Sequence, residues 1–173
     1  GGDMEVGKRA LRLLNQAARA EPRFALLGGD VAYVDGERAD FAKWDQWLAN
    51  WEARMVTPEG YTVPMVLAIG NHEVQGGYDG GVEGAPFYFG YFAQAGESSY
   101  FARRFGAELA VLVLDSGHAV EHGGAQAAWL EQQLARYRDL PYRFAIYHVP
   151  LYPGYRDFHY EYSAAGRAHW LPL

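Results

Sequence analysis

The sequence contains no cysteine among its 173 residues. Disulfide bonds, thiolate metal sites and cysteine nucleophiles are therefore excluded. It also lacks any apolar run near the roughly 20 residues that a membrane-spanning helix needs, and it shows no signal peptide. A Gly-x-Ser-x-Gly motif, which carries the nucleophile in one large class of serine hydrolases, is absent as well. These absences disfavour thiol and serine hydrolases and leave the cell compartment open.

Positive charge is also scarce. The 15 lysines and arginines are outnumbered by 21 acidic residues, which gives a formal charge of −6, and there is no basic run. An electrostatic surface for nucleic acid or for an acidic membrane is therefore not expected. Half of the residues are apolar and 16% are aromatic, which is enough for a sizeable core. Because no repeat, linker or low-complexity tract is visible, we interpret residues 1–173 as one domain.

Hydrophobic periodicity predicts helices that alternate with short apolar strands. Helices are predicted at residues 6–20, 40–55, 125–137 and 163–170. Strands are predicted at 24–27, 63–69, 98–105, 107–114 and 144–147, and the first, second and last of these are expected to be buried. Residues 75–97, rich in glycine and aromatic side chains, are predicted to form a long loop, and such loops are often functional. The alternation favours a layered α/β fold.

Polar side chains follow several of these strands at the point where each strand ends. Asp30 follows the first strand, Asn71 and His72 follow the second, and His148 follows the last; Asp3 comes after Gly-Gly, where an upstream strand could end. Ligands in open α/β sheets bind outside the carboxyl ends of the strands, so we expect these residues to surround one point. Carboxylate, amide and imidazole ligands suit zinc, manganese or iron better than calcium.

Each of these residues has a simpler interpretation when it is taken alone. Asp30 could be a turn aspartate, Asn71 could hold a left-handed turn after a glycine, and His148 could be a core histidine bonded to backbone. Three independent strand ends that finish in metal-compatible residues favour the metal site over three coincidences.

The residues also match known motifs. Gly29–Tyr33 has the form Gly-Asp-x-x-Tyr, and Gly70–Glu73 has the form Gly-Asn-His-[Asp/Glu]. Together with His148, these motifs resemble the calcineurin-like metallophosphoesterases, and Tyr33 resembles the purple acid phosphatase branch. The resemblance implies a layered α/β/β/α sandwich with mixed sheets. It also implies hydrolysis of a small phosphate ester, a monoester first and a diester second, by metal-bound hydroxide at a site with two Fe, Zn or Mn ions.

The resemblance further implies a role for each residue. Asp30 would bridge the two metals, Asn71 and His148 would bind the second metal, and Tyr33 would bind the first as a phenolate; a packed aromatic is an equally good interpretation of Tyr33. His72 would be catalytic rather than a ligand, facing the phosphate and protonating the leaving oxygen. Asp3 matches the first ligand of the family only in position.

The sequence departs from the family pattern after His148, because no Gly-His-x-His motif follows. His159 and His169 lack that context and are expected in a loop and on a helix surface. We interpret the sequence as a catalytic domain that is truncated at its C-terminus and also at its N-terminus, so that on its own it would be inactive or impaired. The rival interpretation is a degenerate, non-catalytic binding module of the same fold; a nucleotide-processing hydrolase is a third. Relatives are often exported, which favours an extracytoplasmic location.

Other polar and aromatic residues are expected near the same site. Asp115 and His118 follow the strand at 107–114 and are expected to support the pocket or form a turn. Four tyrosines in loops are expected on the same face, where they could shape substrate access: Tyr78, Tyr88, Tyr152 and Tyr155.

Overall fold

Two β-sheets pack face to face and carry helices on their outer sides, in a computed structural model that describes residues 2–92 and 98–173. The elements in chain order are α1 (Lys8–Ala18), β1 (Ala25–Leu27), α2 (Phe41–Arg54), β2 (Met65–Leu67), α3 (Pro86–Tyr91), β3 (Phe101–Phe105), β4 (Leu109–Val113), α4 (Gly124–Arg136), β5 (Tyr142–Ile146) and α5 (Glu161–His169). Strands β1 and β2 form a parallel pair, and β3, β4 and β5 form a mixed sheet.

The alternation of side chains along the strands produces the layers. On β4, Val111 and Val113 point towards the other sheet, whereas Ala110 and Leu112 face α4 and α5. On β2, Val66 packs in the space between the sheets. A shift of one residue in either strand would place these side chains in the wrong layer. Such a shift would be costly, because each fully buried Val or Leu contributes about 1.5–3 kcal/mol to the stability of the fold.

The outer layer beside β1 and β2 is formed by α1 and α2. Helix α2 contributes three buried tryptophans, Trp44, Trp47 and Trp51, at helical spacing. The Trp51 indole N–H donates to the Val63 carbonyl oxygen at 2.9 Å, which ties the helix to the chain that enters β2. The predicted α/β/β/α arrangement with mixed sheets is therefore the observed one. No helix in the described residues combines the length and apolarity needed to cross a membrane.

The prediction of a long loop at 75–97 is wrong for part of the segment, because α3 lies within it. Pro86 stands at the start of this helix, where its fixed backbone angle is favourable and its missing N–H costs nothing. Tyr88 on α3 is fully buried, and its hydroxyl donates to the Leu67 carbonyl oxygen at 3.0 Å. The glycine content of the segment obscured this packing. Residues 93–97 of the predicted loop lie outside the described residues.

The prediction that the last strand is buried is also wrong. Tyr142 and Phe144 on β5 are 58% and 51% exposed. Strand β5 pairs with β4 on one side, and within residues 2–92 and 98–173 no other strand pairs with it. An apolar run predicts a strand, but its burial depends on neighbours that the run itself does not specify.

Candidate metal centre

Glycines allow the ends of β1 and β2 to approach each other closely. Gly29, after β1, has a φ of 90°, and a Cβ atom there would lie 2.6 Å from the backbone nitrogen of Gly70. A Cβ at Gly70 would lie 2.7 Å from the backbone nitrogen of Asp30. No side chain fits at either position, so the two glycines set how near the following polar residues come to each other.

Three of the predicted ligands converge at this point. His148 Nε2 lies 3.2 Å from Asp30 Oδ2 and 3.1 Å from Asn71 Oδ1. These residues follow three different strands and lie up to 118 positions apart in the sequence (148 − 30). The alternative of a left-handed turn at Asn71 does not apply, because Asn71 begins a short 3₁₀ turn, Asn71–Glu73, and has no positive φ.

The orientation of His148 suits a metal ligand. Its Nδ1 lies 2.8 Å from the Gly28 carbonyl oxygen, to which Nδ1–H donates. A neutral imidazole held in this way directs the lone pair of Nε2 towards Asp30 and Asn71. Three electron-pair donors then face one another, and this arrangement is stable when a proton or a metal cation lies between them.

Asp3 extends this group of donors. Ligand atoms of Asp3, Asp30 and His148 all lie within 4.8 Å of one another. The backbone explains how Asp3 reaches the site: its N–H donates to the Gly29 carbonyl oxygen at 3.1 Å, which places residues 3–4 alongside the end of β1. Two carboxylates, one amide and one imidazole are a donor set that fits zinc, manganese or iron.

Asp30 and His148 each shift the pKa of the other. Burial acts to raise the pKa of Asp30, but the hydrogen bond and positive charge of His148 and the N–H of His72 outweigh it and hold that pKa below its ordinary value. Burial acts to lower the pKa of His148, and the Asp30 carboxylate outweighs it and raises that pKa. Asp30 is therefore ionised at neutral pH and available to a cation.

Tyr33 lies at the edge of the same centre. Its hydroxyl donates to Asp3 Oδ1 at 3.1 Å, and its ring stacks on His72 with the ring centroids 4.1 Å apart. Burial, followed by the charges of Asp3 and Asp30, raises the pKa of Tyr33. A phenolate at this position would need a cation nearby. The geometry agrees with either predicted role, as a ligand or as a packed aromatic.

His72 lies beside the candidate metal-binding atoms of Asp30, Asn71 and His148 rather than among them. Its backbone N–H donates to Asp30 Oδ1 at 2.9 Å, and its Nε2 lies 4.0 Å from Asp30 Oδ2. Its Nδ1 forms a short hydrogen bond with Asp35 Oδ1. The His72 side chain is 32% exposed, so a substrate can reach it from solvent.

Two residues of the centre were missed by the sequence analysis. Asp35 orients the His72 ring, and Glu73 lies fully buried beneath Asp30, where it accepts backbone N–H groups from both strand ends. Burial, followed by the nearby Asp30 charge, raises the pKa of Glu73 to about 7. Glu73 is the last residue of the Gly-Asn-His-[Asp/Glu] motif, and Asp35 comes two residues after the Gly-Asp-x-x-Tyr motif; these positions were the sequence signal available for them.

A hydrogen-bonded layer lies behind His148. The ring of His118 is 5.4 Å from that of His148, and its Nδ1–H donates to the Gly77 carbonyl oxygen at 2.9 Å. Ser116 Oγ accepts the Val149 N–H at 2.9 Å and lies 3.2 Å from His118 Nε2. Burial lowers the pKa of His118 to about 3, so this residue is neutral at physiological pH. Asp115 accepts the N–H groups of residues 118–120, as expected for a turn.

The four loop tyrosines do not share one face. Tyr88 is buried in the core, so its predicted place at the site is wrong. Tyr78 stacks on His118 with the ring centroids 4.8 Å apart and therefore lies one layer from the centre. Tyr152 and Tyr155 are exposed on the surface. His159 and His169 are also exposed, in the loop before α5 and at the end of α5, in line with the surface positions expected for them.

Comparisons with known proteins agree with this architecture. The family model described as calcineurin-like phosphoesterase matches residues 8–172. Among solved structures, the chain is similar to purple acid phosphatase PPD1 from seeds of yellow lupin (Lupinus luteus), with a TM-score of 0.62 and 24% identity. That match covers 82% of this chain and 26% of the lupin chain, so this chain spans about a quarter of that protein's length. A comparison with curated proteins gave no match.

Proposed function

The chain belongs to the calcineurin-like phosphoesterase family. From this membership and from the convergence of Asp30, Asn71 and His148, we propose that the intact protein hydrolyses phosphate esters with the help of bound metal ions. The observation that carries the proposal is the contact of His148 Nε2 with two oxygen donors from other strand ends. Ligands of one metal ion come together in this way, and Nε2 is directed at the two oxygens because Nδ1–H donates to the Gly28 carbonyl oxygen.

We assign the site two ions, drawn from Fe, Zn and Mn. Asp30 would bridge them, Asn71 and His148 would hold one, and Asp3 and Tyr33 would hold the other. Bound ions of this kind polarise a phosphoryl oxygen and lower the pKa of water. The position of Tyr33 beside Asp3, with a hydroxyl–carboxylate distance of 3.1 Å, supports a purple acid phosphatase-like site.

His72 would deliver the proton that the leaving oxygen needs. The hydrogen bond between Nδ1 and the Asp35 carboxylate fixes the ring so that Nε2 lies on the side that faces Asp30, and Nε2 would donate the proton from there. Transfer of that proton to the departing alcohol leaves a neutral imidazole, which Asp35 holds in the same orientation. The partial exposure of the ring lets the leaving group reach Nε2.

A small phosphate monoester is the proposed substrate, and a diester is the alternative. The rival function is a binding module that holds metal or phosphate without turnover. Hydrolysis after metal loading distinguishes the enzyme from the binding module. Comparing the hydrolysis rates of a monoester and a diester distinguishes the two substrates.

We expect metal removal to abolish hydrolysis by the intact protein. Metal-depleted protein should hydrolyse p-nitrophenyl phosphate about 100-fold or more slowly than the same protein reloaded with Zn²⁺, because bound ions contribute several kcal/mol to the transition state. The assay compares depleted, reloaded and chelator-treated samples on the monoester and on bis(p-nitrophenyl) phosphate. Binding of Zn²⁺ without hydrolysis of either ester would support the binding module instead.

A further inference from the structure

A buried carboxylate lies between the two strand ends that carry Asp30 and Asn71. Glu73 is fully buried and accepts three backbone N–H groups. Its Oε2 accepts the N–H of Asp30 at 2.6 Å and that of Gly70 at 2.9 Å, while its Oε1 accepts the N–H of Val31 at 2.9 Å. Charged hydrogen bonds of this kind are shorter and stronger than those between neutral groups. One side chain therefore joins two segments that are about 40 residues apart in the sequence.

These N–H groups lie where the parallel pairing of β1 and β2 has ended. The last bond between the strands runs from the Ala68 N–H to the Leu27 carbonyl oxygen at 2.9 Å. Beyond this bond the two segments turn towards Asp30 and Asn71. Their buried backbone N–H groups are no longer paired between the strands and need other acceptors. Glu73 supplies the acceptors from within the Asn71–Glu73 turn, so the same short segment carries one predicted ligand and the group that fixes another.

The backbone at Asp30 depends on this support. Asp30 has a φ of 56°, in the left-handed region that residues other than glycine adopt at a cost. Its carboxylate is directed by that backbone: Oδ1 accepts the His72 N–H at 2.9 Å, and Oδ2 faces His148 Nε2 at 3.2 Å. A change in the backbone at residues 30–31 would therefore rotate the carboxylate away from His148.

We propose that Glu73 is a positioning residue that holds Asp30 and Asn71 in the geometry needed to bind metal, without touching metal or substrate itself. This inference rests on the proposed function. It predicts that the acceptor oxygens of Glu73 control metal affinity beyond any effect they have on stability. Second-layer partners of metal ligands typically change metal affinity by 10–100-fold when they are replaced.

Glu73→Gln is the most specific test, since it keeps the size and shape of the side chain. An amide has one oxygen, so its NH₂ group must face at least one backbone N–H that the carboxylate now accepts. We expect the variant to bind Zn²⁺ about 10–100-fold more weakly than wild type. The readout is calorimetric titration of metal-depleted intact protein with Zn²⁺ alone, with circular dichroism to verify folding. Glu131→Gln on the exposed face of α4 is the matched control and should bind as wild type does.

A folded Glu73→Gln that binds Zn²⁺ as tightly as Glu131→Gln would overturn the proposal, even if its melting temperature fell. If Glu73→Gln does not fold, Glu73→Asp replaces it: this shorter carboxylate cannot reach all three N–H groups, and the same loss of affinity is expected. If wild type and Glu131→Gln also fail to bind Zn²⁺, the proposed function itself is wrong. A loss of Zn²⁺ affinity in the Glu73 variant, with normal Zn²⁺ binding by wild type and Glu131→Gln, would support both the positioning role and the proposed function.

Discussion

Replacing Asp30 with asparagine should remove bound metal and reduce turnover of a phosphate monoester by about 1,000-fold or more, because the change removes the charge of the proposed bridging ligand and with it several kcal/mol of transition-state stabilisation. Asparagine is the right substitution because it has nearly the shape of aspartate and tolerates the left-handed φ of 56° found at this position. Alanine would add backbone strain to the lost charge. The measurements are metal content after dialysis and kcat in the intact protein.

Asp79→Asn is the matched control for Asp30→Asn. Asp79 also has a left-handed φ, of 55°, and its carboxylate lies 3.4 Å from the Tyr162 hydroxyl rather than among the donors. The same chemical change in the same backbone conformation should therefore leave metal content unchanged. Retention of two metal ions and of normal turnover by Asp30→Asn would contradict the assignment of Asp30 as a bridging ligand.

Replacing His72 with alanine should separate catalysis from metal binding. We expect turnover to fall by about 100- to 10,000-fold, the usual contribution of general acid–base catalysis, while metal content remains near that of wild type. The loss should be larger for an alkyl phosphate, whose leaving oxygen needs a proton, than for p-nitrophenyl phosphate, whose leaving group departs readily as an anion. The measurements are kcat on the two esters and metal content on the same samples.

His159→Ala, at an exposed position, is the control for His72→Ala and should change neither quantity. If His72→Ala instead lost its metal, His72 would be a ligand and its assigned role would be wrong. An equal loss on the two esters would show that His72 acts through charge stabilisation rather than by proton transfer.

The core of the candidate site could be predicted from the sequence because it follows a simple geometric rule. Asp30, Asn71 and His148 come within a few residues of the ends of apolar strands, and ligands in α/β folds bind outside the carboxyl ends of the strands. The rule holds here although the strand before His148 belongs to the other sheet. Asp3 was harder to predict, since its place depends on backbone bonds from residues 3 and 4 to the carbonyl oxygens of Gly29 and Asp30 rather than on a strand of its own.

The supporting residues could not be predicted in the same way. Glu73 accepts N–H groups from positions 42 and 43 residues earlier, and Asp35 contacts His72 from 37 residues away. Such partners depend on the three-dimensional approach of two turns, which hydrophobic periodicity does not encode. The exposure of Phe144 on β5 and the burial of Tyr88 on α3 were missed for a related reason: burial is a property of neighbours, and composition reports only the residue itself.

The central claim is that separate strand ends deliver oxygen and nitrogen donors to one metal-binding point. Anomalous X-ray scattering at the zinc edge, from crystals of the protein grown with Zn²⁺, tests it most directly. We predict a peak about 2.0–2.2 Å from Asp30, Asn71 and His148 together. A structure in which zinc lies elsewhere, or in which no peak lies between these three side chains, would contradict the account.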